Sequence, residues 1–93
     1  MITVQIGNSD NRLSQSDWSA YIAKVDKVLK IYSSYNIHFS GGSPSEAAWQ
    51  NYCWCVDIKG DDLEEGLKAD LKMIARQYDQ TAIAWCKGEV EMI

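Results

Sequence analysis

Ile2-Thr3-Val4-Gln5-Ile6 alternates apolar and polar residues without a break, the period of a half-buried strand. Gly7 and the polar run Asn8-Ser9-Asp10-Asn11-Arg12 end it. The period then changes. Trp18, Ile22, Val25, Leu29 and Tyr32 recur at spacings of four and three, which predicts one helix over about 14–34. Its start is marked twice. Ser14-Gln15-Ser16-Asp17 fits a capping box, and Leu13 with Trp18 stands where a hydrophobic staple would bracket the cap.

Asn36-Ile37-His38-Phe39-Ser40 reads as a short second strand, followed by the Gly41-Gly42-Ser43-Pro44 loop. Trp49 to Ile58 reads as the third strand, with Tyr52, Trp54, Val56 and Ile58 on one face. Asp61-Asp62-Leu63-Glu64 looks like a second capping box, and Leu63, Leu67, Leu71, Ile74 and Tyr78 form the stripe of a second helix. Thr81 to Cys86 reads as a fourth strand. Lys87-Gly88 either turns the chain into an extra C-terminal edge strand over 89–93 or is a bulge in a strand that runs on.

The order β-α-β-β-α-β predicts an α+β fold of the ferredoxin-like type. Both helices cover one face of an antiparallel sheet, in a single domain over 1–93. The expected covered face is Ile2, Val4, Ile6, Ile37, Phe39, Tyr52, Trp54, Val56 and Ile58. The expected open face is Thr3, Gln5, His38, Ser40, Asn51, Cys53, Cys55 and Asp57, mixed enough to allow a homodimer through the sheet or at an edge strand.

Strand direction alone sends three connections to the same end of the sheet: 7–13, about 41–49, and the turn at Tyr78-Asp79-Gln80-Thr81. The first two carry polar residues with no evident structural task. Asn8, Ser9, Asp10, Asn11, Arg12, Ser43, Trp49, Gln50 and Asn51 form the candidate binding surface. Side-chain amides beside a guanidinium and hydroxyls suit a ligand with many polar edges, although Asn and Asp are equally at home in turns. Trp49 comes directly after the loop, so it either lids the edge of the core or stacks on a partner.

Charge and composition narrow the function. The chain has 93 residues and a net charge of −4, and its nine basic residues are spread along the sequence. Without a basic stripe, direct nucleic-acid binding is not expected, because phosphate contacts supply most of that affinity. No apolar run nears the ~20 residues of a membrane span, and the N-terminus lacks the pattern of a signal peptide, so a cytoplasmic protein is expected. Cys53, Cys55 and Cys86 are odd in number, and C-x-C in an apolar stretch is not zinc spacing, so neither a disulfide framework nor a metal or other cofactor is expected.

Catalysis is not favoured either. Ser9, Asp10, Arg12, Ser43, Ser45 and Glu46 can meet at the loop end, but no His, Cys or Lys joins them there as a nucleophile. Gly41-Gly42-Ser43 alone is a weak phosphate cradle.

The pattern Ile6-Gly7-Asn8-Ser9-Asp10, Leu13, Trp18, then Trp49-Gln50-Asn51, Cys53-Trp54 and Ala82-Ile83-Ala84-Trp85, resembles short proteins of bacteriophages and bacteria. The resemblance spans most of the chain and transfers no catalytic residue. It implies a mobile-element context, in which small acidic domains act as accessory proteins that bind and inhibit a host or defence protein. Several anti-CRISPR proteins are similar in size and fold. The expected function is therefore a non-enzymatic binding protein. A module holding a small polar molecule such as a nucleotide in loops 7–13 and 41–51 is the alternative, and a small dimeric enzyme is a further one.

Overall fold

The computed structural model describes every residue except 9, 10, 45, 46, 48 and 90. Its elements run β1 (Ile2–Gly7), α1 (Gln15–Tyr32), β2 (Ile37–Gly42), β3 (Asn51–Val56), α2 (Asp61–Gln77) and β4 (Ala84–Lys87). The strands form one sheet in the order β2-β3-β1-β4, with every neighbouring pair antiparallel. This is the ferredoxin-like α+β arrangement.

The strict alternation of β1 places Ile2, Val4 and Ile6 against Val56, Trp54 and Tyr52 in register. Ile2, Val4, Ile6, Trp54 and Val56 are buried in one cluster with Trp18, Tyr21, Val25 and Leu29 of α1 and Leu67, Leu71 and Ile74 of α2. The Trp54 indole N–H, inside this cluster, donates to Asp26 Oδ1 at 3.0 Å, so its one polar group is satisfied. The helices pack closely where α2 has Gly66. A Cβ there would lie 3.2 Å from the Tyr32 hydroxyl, which itself donates to Asp70 at 2.6 Å.

Ser14 caps α1 as expected, accepting from the Asp17 N–H at 3.2 Å. α2 begins differently. Its N-cap is Gly60 at φ 110°, with no side-chain cap bond, so the second capping box does not form. Glu64 is buried instead and accepts from Lys87 Nζ at 2.9 Å, tying α2 to β4. Leu63, placed in the apolar stripe by its spacing, is exposed, because the helix turns that position beyond the edge of the core.

Two further corrections concern β2 and β4. Ile37 lies opposite Val56 and Phe39 opposite Cys55, so His38 is the extra residue of a bulge. One inserted residue reverses the facing of the residues after it. Phe39 therefore lies on the open face with Cys55, 57% exposed, rather than under the helices. The β1–β4 ladder ends at Gln5 and Ala84, so 81–83 leave the sheet. At its other end the Gly88 N–H donates to Met1 O at 3.1 Å. No strand forms over 89–93 among the described residues, and Val90 lies outside them.

No described helix is long and apolar enough to cross a membrane.

Candidate functional site

The predicted surface lies where strand direction places it. Asn8 and Gln50 are hydrogen-bonded, and Arg12 reaches Asp79 in the turn after α2, its Nη1 3.5 Å from Oδ2. Loops 7–13 and 49–51 and the turn at 78–80 therefore share one end of the sheet. Ser9 and Asp10, and likewise Ser45 and Glu46, lie outside the described residues.

The polar side chains there divide into two groups. Asn8 and Gln50 are buried, at 6% and 5% exposure. Asn8 Oδ1 accepts from the Leu13 N–H at 2.9 Å, while its Nδ2 donates to Leu13 O at 3.1 Å and to Gln50 Oε1 at 3.0 Å. Gln50 in turn exchanges two bonds with Gln15, at 2.8 and 3.1 Å. This amide layer clamps the exit of β1 to the entry of β3 and the start of α1. A buried side-chain amide keeps its place only when its donors and acceptors are paired, and these are paired internally. Ser43 and Asn51 do similar work at the β2–β3 connection. Ser43 N–H donates to Asn51 O, and the Asn51 N–H donates to Ser43 Oγ, both at 3.0 Å.

The second group faces outward. Trp49 is 85% exposed, directly before the buried Gln50; it is no lid over the core. Arg12 and Asn11 are also exposed, and Asn11 takes φ 52°, a left-handed turn conformation that Asn tolerates.

The open face of the sheet carries the three cysteines, all free. Cys55 and Cys86 flank Thr3 in one row across the strands, and Cys53 sits two residues along β3. Burial and the neighbouring Cys55 thiol push the Cys53 thiol up from its ordinary value, which disfavours the reactive thiolate. At one end of this face His38 Nε2 and Asp57 Oδ2 are 2.6 Å apart. That bond, with the N-terminal amino group 3.8 Å away, holds the Asp57 carboxyl below its usual range. Among the described residues no group of His, Cys, Asp or Glu is placed to hold a metal ion.

Sequence reasoning missed one site. A cavity of about 420 Å³ lies between α2 and the segment running into β4. Leu71, Ala75, Ile83 and Trp85 line it, and so do Lys68, Lys72 and Arg76. The basic residues are scattered through the chain as a whole, yet these three are four apart. On a helix that spacing stacks them on one face. The periodicity is present in the sequence; the cavity beside it is not, because it opens where 81–83 diverge from β1. A second cavity, about 350 Å³, lies at the opposite end of the sheet among Tyr32, Tyr35, Lys59 and Leu63.

No family model, no curated protein and no solved structure matches the chain.

Proposed function

We propose that this is a non-enzymatic binding domain that acts by occupying a surface of a larger protein through the end of the sheet that carries Trp49 and Arg12. The observation that carries the reading is Trp49, an indole 85% exposed beside an internally bonded amide layer. Burying such a ring against a partner removes a large apolar area from water, and Trp and Arg are the residue types that dominate interface energetics. Arg12 adds a guanidinium at the same end, in an exposed pair with Asp79 that solvent screens. The resemblance to short phage and bacterial proteins makes a host or defence protein the partner of choice.

The test is affinity capture from bacterial lysate, identification of the retained protein, and titration of that protein against variants. Trp49→Ala and Arg12→Ala should each weaken binding by more than ~1 kcal/mol with the melting temperature nearly unchanged. A captured partner that binds both variants as tightly as the parent chain would contradict the assignment of this end.

A further inference from the structure

The cavity beside α2 carries three cations on one wall, two of which have no counter-charge among the described residues. Lys68 is engaged: its ammonium lies 5.0 Å from the Trp85 ring centroid and 3.6 Å from Glu65. Lys72 and Arg76 make no ion pair or side-chain hydrogen bond among the described residues. They stand one helical turn apart, about 6 Å along the axis. In a chain of net charge −4, two such cations on one cavity wall are not explained by internal pairing. No described carboxylate lines the cavity. Beside the cations the lining is mainly apolar, with Leu71 and Ala75 buried and Ile83 and Trp85 half-buried, and it includes the buried Gln80.

Exposed cations beside apolar side chains together select a particular chemistry. The cations suit a doubly charged anion, since a guanidinium binds phosphate oxygens in a fork and an ammonium adds a point charge. The apolar side chains suit a ring system, and Thr81 adds a hydroxyl to the lining. A volume of about 420 Å³ is that of a small-molecule site rather than a macromolecular groove.

We infer that the cavity between α2 and the approach to β4 binds a small organic phosphate with a flat ring, of the nucleotide class. The phosphate lies on Lys72 and Arg76 and the ring over Leu71, Ile83 and Trp85. This site adjoins the loop end at the 78–80 turn, where Gln80 joins its lining, but it includes neither Trp49 nor Arg12, and neither assignment depends on the other.

The test is isothermal titration of the whole protein at low ionic strength with adenosine monophosphate, adenosine and inorganic phosphate as probes. The monophosphate should bind saturably at one site, and more tightly than either fragment. Lys72→Ala and Arg76→Ala should each weaken it by about tenfold, the usual scale for losing one charge-assisted bond. Lys27→Ala, a cation of α1 outside this cavity, serves as the control and should leave it unchanged. Circular dichroism melts confirm that the variants fold. Three outcomes each overturn the inference: no saturable binding of the monophosphate; binding that both cavity substitutions leave intact; or inorganic phosphate binding as tightly as the nucleotide, which removes the ring from the site.

Discussion

The loop end of the sheet and the cavity beside α2 invite opposite readings from sequence and structure. The loops are crowded with amides and hydroxyls, whereas the cavity wall offers three cations from a helix that looks ordinary. In the fold, the loop amides are closed upon themselves: Gln50 bonds to both Asn8 and Gln15, and Asn8 also bonds to the Leu13 backbone. Among the described residues, the cavity cations Lys72 and Arg76 have no such partners. A polar side chain is available to a ligand only when its bonding capacity is not already met inside the protein. At the loop end the side chains that face outward are Trp49 and Arg12, above the amides.

Substitutions put this contrast at risk in three places. Asn8→Ala should have the largest effect on stability, because it strips the Leu13 N–H and C=O of their side-chain partner and leaves Gln50 Oε1 only its bond from Gln15. A loss of about 2–3 kcal/mol is expected in urea denaturation. A loss under about 0.5 kcal/mol would mean that the amide layer is dispensable and free to serve a ligand.

Tyr21 should come next. It is fully buried, stacked on Tyr78 at 5.0 Å, and its hydroxyl is the buried side-chain atom left without a partner among the described residues. Burial pushes its pKa from 10.0 up to about 12. The unfolded chain loses this proton first, so between about pH 10 and pH 12 the unfolded state binds fewer protons and stability falls as pH rises. Tyr21→Phe removes an unsatisfied hydroxyl at no loss of shape. It should change stability at neutral pH by no more than about 1 kcal/mol, toward greater stability. Melts from pH 9 to 12, compared with the parent chain, should show a shallower alkaline decline. An equally steep decline in the variant would assign the pH dependence to other groups.

The double substitution Lys72→Ala, Arg76→Ala should be the mildest. Both side chains are exposed, and alanine favours helix, so stability should stay within about 0.5 kcal/mol of the parent. A larger loss would show that the cations hold the fold.

The parts of the molecule legible in the sequence are the local ones. β1 and the start of α1 are legible because alternation and a capping box are written within a few consecutive residues. The element order then implies the sheet order and the shared end of the loops. The bulge at His38 is not legible. Asn36-Ile37-His38-Phe39-Ser40 alternates plausibly, and only pairing with β3 reveals the extra residue that turns Phe39 outward. The capping role expected of Glu64 fails for a similar reason, since its partner Lys87 is 23 residues away. At the candidate site the location is legible, but the division into inward and outward side chains is not. Whether Asn8 faces a ligand or Gln50 depends on a contact across 42 residues.

The contrast is tested most directly by one amide-resolved NMR titration with adenosine monophosphate, which reads both regions in the same spectrum. The expected result is progressive shifts at Lys72, Ala75, Arg76 and the 81–85 segment, while Asn8, Leu13, Gln50 and Asn51 stay in place. Shifts concentrated in the loop residues, with the cavity amides unmoved, would contradict it.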